Sequence, residues 1–396
     1  MVGADNIGIC AFLWKFCSQL LPCGSSQGCS EPDHVCVQHS RCSNKPLCYP
    51  VSMMNDNICP PQLTVMNTTM ATIATTTTTV TINNTVIKSK FQQYGTIVAG
   101  GHRNGDKLDH ISGPHRFFID ENKAITMLDS WKNRVIKWKS NEKQGAIVAG
   151  GNGKGNRIDQ FDGPSDMFVD ENNHSIIIAD SANRRVIQWF NNQTQRILFD
   201  KIHCGGLTMD KQGFLYLYDV NQANVKRYRI GEEKANQGTL VASGIVRGTA
   251  VHQLAAPMYM FVDENQSIYI SDCINISSMN MKHQVENRPM KWKKDSTEGV
   301  IVAGGNGNGS RPNQFDCPKG LIVDQWSQIY VADFWNDRVM RWREGDKEGE
   351  VIVGGNGRGS ALNQFYYPTG LSFDLDGNLY VADDANVRFL RFDLIL

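Results

Sequence analysis

The chain lacks several features that would place it quickly in a functional class. Its 40 Lys and Arg are balanced by 40 Asp and Glu over 396 residues. No global positive field favours phosphate, so nucleic acid is not an expected partner. The apolar stretch from Ile7 to Leu21 is broken by Lys15 and is short for a bilayer helix, so no transmembrane span is expected. None of the cysteines forms a Cys-x-x-Cys pair, which removes the usual ligand spacing of a zinc module. The Gly-rich segment GGNGKGNR, Gly150 to Arg157, lacks the Gly-Lys-Ser/Thr order of a P-loop, and no helix pattern follows it.

What is present is repetition. An apolar run ending in Asp, a short turn, a second apolar run ending in Asp and a basic-apolar stretch closed by an aromatic recur six times, with Asp pairs at 120/129, 170/180, 210/219, 263/272, 324/333 and 374/383. Copies start about fifty residues apart, except an early third copy and a fourth with an insertion after Asp272, and that length suits a propeller blade of four short strands.

Each piece reads as a strand or a turn. Leu321, Ile322 and Val323 form a continuous apolar run, as expected of a strand buried on both faces. Asp376-Gly377 is a hairpin signal, and Ile329 to Val331 make the second strand. The Asp closing it is expected to accept hydrogen bonds from N–H groups of the following turn. Its recurrence in every copy marks construction, not catalysis. Arg338 to Trp342 alternate basic and apolar, the pattern of a half-exposed third strand, with Arg134, Arg185, Arg288 and Arg388 in the same place. A fourth strand begins at Val300, with similar segments at Ile97, Ile147 and Val351 and a degenerate one at Leu240. The copy at 95–101 precedes the first full repeat, and the last repeat has none. It should therefore pair with the strand holding Arg388 to Phe392 and close the ring.

The N-terminal quarter is different. Cys23, Cys29, Cys36, Cys42, Cys48 and Cys59 lie among Pro, Ser and Asn with too few apolar residues for a core, so disulfides are expected to supply the stability, with metal as the competing reading. Residues 1–22 hold a possible, atypical signal peptide, 23–62 the Cys-rich module, and 63–93 a Thr-rich stalk. Asn67, Asn83, Asn173, Asn192, Asn265, Asn275 and Asn308 head glycosylation sequons. Secretion or surface display is the expectation.

The pattern P-x-G-L-x-V-D, I-Y-V-A-D, N-x-R-V-x-x-W resembles the NHL repeat family of six-bladed propellers over residues 94–396. It is strongest in the last two copies and weaker in the third, where Cys204 replaces Pro and Asn224 replaces Arg, and in the interrupted fourth. The resemblance implies an all-β propeller of four-stranded blades, closed by an N-terminal strand and preceded by the small disulfide-rich module. Some related propellers use histidine-bound zinc or channel calcium, and some intracellular ones bind RNA. A metal-dependent lyase or hydrolase and an RNA-binding propeller are thus the alternative readings. The nine histidines do not recur at matching blade positions, and no cofactor or metal is expected.

In a propeller the loops leading into the innermost strands and those after the second strands share one face. The family pattern puts Pro-x-Gly there, and Gly320 and Gly370 obey it. Arg116, Asp166 and Tyr259 depart from it. With His115, Ser165, Lys319, Trp131 and Trp335 they form the candidate binding surface for a protein, peptide or glycan, against ordinary divergence of a tolerant loop. Cys273 and Cys317 fall on that face and either bridge neighbouring blades or remain two buried thiols.

Overall fold

In a computed structural model, the chain divides into two compact units, Met1–Ser89 and Lys90–Leu396. The described residues are 90–101, 107–191, 193–231, 238–243, 254, 257–273, 287–296 and 298–395, together with two short strands of the first unit. Those strands, His34–Val37 and Leu47–Pro50, pair antiparallel with Cys36 opposite Cys48. Cys23, Cys29, Cys42 and Cys59, the sequons at Asn67, Asn83, Asn192 and Asn275, the Thr-rich stretch and the insertion after Asp272 lie outside the described residues. Among the described residues no helix is long and apolar enough to cross a membrane.

The second unit is a six-bladed β-propeller. Blade 1 comprises Pro114–Ile119, Ile125–Asp129, Arg134–Trp138 and Ala146–Gly150. The inner strands of blades 2 to 6 are Pro164–Asp170, Cys204–Met209, Pro257–Val262, Pro318–Val323 and Pro368–Phe373, each leading an antiparallel four-stranded sheet. Each inner strand packs on the next and the sixth on the first, which makes a closed ring. Blade 6 takes its outer strand from Thr96–Gly100, with Arg388 opposite Gly100 and Phe389 opposite Ala99. The expected closure is therefore observed. The ring extends four residues further N-terminally than the repeat, because Lys90–Phe91 pairs with Leu394–Ile395 and Phe91 enters the core.

The recurring acids have two separate jobs. The first Asp of each pair holds the inner hairpin: Asp324 Oδ1 accepts from the N–H groups of Trp326 and Gln328, and its Oδ2 accepts from the Tyr330 hydroxyl at 3.1 Å. Asp374 and Tyr380 repeat this arrangement. The second Asp differs from expectation. In blades 1, 2, 5 and 6 it reaches back to the loop leading into its own blade, as Asp333 Oδ1 does to the N–H of Asp316 at 2.8 Å. Only blade 3, among the described residues, has the expected form, with Asp219 accepting from Asn221 and Gln222.

The third strands are buried, not half-exposed, in every blade but the third, where Asn224–Arg229 is partly exposed. Arg338 donates to Asp333 Oδ2 at 2.7 Å and to the carbonyls of Ser310, Arg311 and Gln314. A guanidinium with its fork filled by a carboxylate and carbonyls can be taken out of water, which an isolated charge cannot. Conversely, the run Leu321 to Val323 is only partly buried, since the inner strand borders the channel. It is the second strand, Gln328–Asp333, that is buried throughout. The outer strand of blade 2, Gln195–Asp200, carries no Gly-Gly turn and had no sequence signal of the kind that marks blades 1, 4, 5 and 6.

Candidate functional site

Every inner strand bulges over its first three residues. Pro318 faces Asp333 and Leu321 faces Val331, so one extra residue is accommodated, and the other five blades shift register at the same place. A bulge breaks the alternation of side chains and aims consecutive residues toward the same region. The repeated bulge thus brings His115 and Arg116, Ser165 and Asp166, Lys319, and Thr369 to the channel mouth. The residues following the second strands, among them Ser181, Phe334 and Asp384, ring the same mouth.

Arg116, Asp166 and Tyr259 converge, but on one another. Arg116 Nε lies 2.7 Å from Asp166 Oδ1, and a second guanidinium nitrogen lies 3.1 Å from Oδ2 and 3.2 Å from the Met260 carbonyl. The guanidinium also sits 4.3 Å over the Tyr259 ring, whose hydroxyl donates to the His115 carbonyl at 2.7 Å. Asp166 is 1% exposed and accepts from the N–H groups of Met167 and Leu207 as well. Burial pushes its carboxyl up, against the pull of Arg116 and those two N–H groups. Blades 1 to 4 are thereby tied across the channel, and these three side chains form a plug, with their polar atoms already paired. Ser165 is similarly occupied, donating to the Cys204 carbonyl at 2.9 Å and accepting from Ser181.

On the opposite side the inner strands approach closely. A Cβ on Gly320 would collide with the Thr369 carbonyl oxygen, and one on Gly370 with that of His115. Thr369 Oγ1 donates to the Pro114 carbonyl at 2.8 Å across the ring closure. The two glycines that keep the family pattern therefore serve the narrowness of the channel.

Above this floor lie three polar groups without such partners. The ring of His115, the amine of Lys319 and the carboxylate of Asp384 form no hydrogen bond or ion pair with any described residue. Burial, and secondarily the charge of Lys319, pushes the His115 imidazole down to about 4. Burial pushes the Lys319 amine down to about 8 against the attraction of Asp384. The Asp384 carboxyl is pushed up to about 6 by burial, with Lys319 opposing and Asp383 adding to the rise. Perturbed groups gathered at one end of the inner strands make this a candidate functional site. At neutral pH the mouth holds a neutral imidazole, an ammonium and a carboxylate.

An aromatic shelf adjoins them. Lys319 Nζ stands 3.6 Å above the Phe334 ring, Phe334 stacks on Tyr367 at 4.6 Å, and Trp335 meets both edge-on. Arg358 covers Tyr366 and Tyr367 and bonds Asp337 at 2.9 Å. The disulfide Cys273–Cys317 is present and joins blades 4 and 5 beneath Phe334. Trp335 remains 37% exposed, and Trp131, resting on Gly113, is 72% exposed. Cys204 is a buried free thiol whose pKa burial drives upward, so it is not a poised nucleophile. Among the described residues no group of three or more His, Cys, Asp or Glu is placed to hold a metal ion. Asn173, Asn265 and Asn308 are exposed, but Ser175 and Ser267 of the first two sequons are buried.

Of the residues expected at the mouth, His115 and Lys319 line the open part, Arg116, Asp166 and Tyr259 form the plug, and Ser165 is tied into blade 3. Asp384 was missed, although the doublet Asp383-Asp384 announces an additional acid where the other blades carry Ser, Val, Cys or Phe. Tyr366, Tyr367 and Arg358 were also missed, because they belong to the loop leading into blade 6 and not to the repeat core.

The chain is thus an all-β protein with a six-bladed propeller of four-stranded antiparallel blades. No family model and no curated protein matches it. Solved structures do. An auxiliary nutrient binding protein from Bacteroides thetaiotaomicron VPI-5482 is similar at 13% identity and TM-score 0.55, covering 78% of each chain. An auxiliary nutrient binding protein from Bacteroides ovatus ATCC 8483 is similar at 14% identity and TM-score 0.53 over 78% of each chain. A Bacteroides thetaiotaomicron VPI-5482 protein of unknown function gives 15%, TM-score 0.56 and 77% of each chain. At these identities the likeness is one of fold.

Proposed function

We propose that this chain is an NHL-type propeller displayed outside the cell, where it binds a protein, peptide or glycan at the channel mouth. The observation that carries this reading is the set of three polar groups, His115, Lys319 and Asp384, that are unpaired among the described residues, beside an aromatic cluster whose Trp335 is exposed. Folding leaves such groups unpaired at a cost of about 1–3 kcal/mol each, more when charged, and a partner that supplies their hydrogen bonds recovers it. The two nutrient binding proteins of similar fold agree with a binding role. The Cys-rich module, the Thr-rich stalk and the sequons support secretion, and the interblade disulfide suits an oxidising compartment.

The test is binding to peptide, protein and glycan arrays by the wild-type protein and by Lys319→Met and Trp335→Ala variants in parallel. Signals lost in both variants locate the partner at the mouth. Signals retained at full strength in both refute the site.

A further inference from the structure

We infer that the mouth accepts an uncharged polyhydroxylated ligand, a saccharide, with one hydroxyl bridging Lys319 and Asp384 and a ring face lying on the exposed Trp335 indole. This rests on the reading of the mouth as a binding site and narrows it to one chemical class.

Lys319 differs from three other lysines that carry an ion pair. Lys291, Lys137 and Lys123, also removed in part from water, are each held by a carboxylate, those of Glu344, Asp120 and Asp376. Lys319 has instead the face of Phe334 and a carboxylate, Asp384, that acts on it electrostatically without closing into an ion pair. A donor-only group and an acceptor-only group are thus held near each other and apart. An anionic ligand would satisfy Lys319 and meet repulsion from Asp384, a cationic one the reverse, and an apolar one would leave both unpaired. A hydroxyl oxygen accepts from an ammonium and donates to a carboxylate through one atom. The neutral His115 imidazole adds one donor and one acceptor for a neighbouring hydroxyl.

Arg116, Asp166 and Tyr259 are spent on one another and on backbone carbonyls across the inner strands, so the ligand is engaged by the remaining groups of the mouth. Trp335 and Trp131 lie on that same face with exposed indoles, and such amphipathic rings pack against the apolar face of a sugar ring.

The bridge needs Lys319 charged and Asp384 ionised. Affinity is therefore greatest between about pH 6 and 8 and falls about tenfold per pH unit well beyond either limb. Of the other groups facing the pair, His115 from blade 1 changes charge near 4, and burial drives the Tyr259 hydroxyl of blade 4 upward. Burial also pushes the carboxyls of Asp383 and Asp166 up, against the pull of Arg388 and Arg116.

The test is calorimetry and tryptophan fluorescence with neutral mono- and oligosaccharides of glucose, galactose, mannose and N-acetylglucosamine, with glucuronate and galacturonate, and with the peptides selected on the arrays. The expected result is a neutral saccharide bound at pH 7 with a bell-shaped pH profile, and a uronate bound more weakly. Lys319→Met and Asp384→Asn should each reduce affinity about ten- to a hundredfold, the effect of deleting one charge-assisted hydrogen bond. Unchanged or raised urea midpoints would show that both variants fold. Three outcomes overturn the inference: no neutral saccharide bound up to about 10 mM, the weak end of measurable affinity; a uronate preferred; or a flat pH profile. A peptide bound at the mouth and lost in the same variants would overturn the saccharide and leave the binding site standing.

Discussion

Replacing Arg116 by Met tests whether the centre of the channel is a structural plug. Arg116 gives two nitrogens to Asp166, at 2.7 and 3.1 Å, one of which also lies 3.2 Å from the Met260 carbonyl, and covers Tyr259. Methionine keeps much of the packing but leaves Asp166, at 1% exposure, with only its two backbone donors. Removing one partner of a buried pair costs about 3–5 kcal/mol, because the other charge stays buried and uncompensated. The midpoint of urea unfolding, followed by tryptophan fluorescence, should fall accordingly. Asp166→Asn in the Arg116→Met background removes that charge and should recover about 2 kcal/mol, a coupling read from the double-mutant cycle.

The pH dependence gives a sharper check. Burial already pushes the Asp166 carboxyl up, and loss of Arg116 pushes it further. The folded variant then holds a proton that the unfolded chain gives up above its pKa of about 4. The penalty of Arg116→Met therefore grows as pH rises from the folded wild-type pKa of Asp166 to the higher one of the variant, and shrinks as pH falls between them, by up to about 1.4 kcal/mol per unit. A deficit below about 1 kcal/mol, or one unchanged between pH 4.5 and 7.5, would refute the plug.

Other expectations follow from the same geometry. Gly320→Ala should destabilise the ring by about 1–3 kcal/mol, because its Cβ meets the Thr369 carbonyl; an unchanged thermal midpoint would contradict the close approach. Cys317→Ser paired with Cys273→Ser opens a bridge spanning 44 residues and should cost up to about 4 kcal/mol by loop entropy, read as a urea midpoint matching that of the reduced wild-type protein.

The sequence by itself determined the architecture. Alternation of apolar runs, Asp-bounded turns and Gly-rich loops at a fixed period can bury its apolar faces only by stacking like units, and the displaced copy at 95–101 dictated how the ring closes. It also pointed to the mouth through departures from the repeat, and His115, Arg116, Asp166, Tyr259 and Lys319 all lie there. What it could not supply was the pairing among them. Whether Arg116 and Asp166 are free ligands or each other's counterions depends on distances across the channel between blades about fifty residues apart in sequence, which local pattern does not encode. For the same reason the third-strand arginines looked half-exposed until their carbonyl partners in the lead-in loops were placed. Only the tertiary structure separated the acids and bases that satisfy one another from His115, Lys319 and Asp384, which are unpaired among the described residues, because burial and pairing are properties of the space between chain segments.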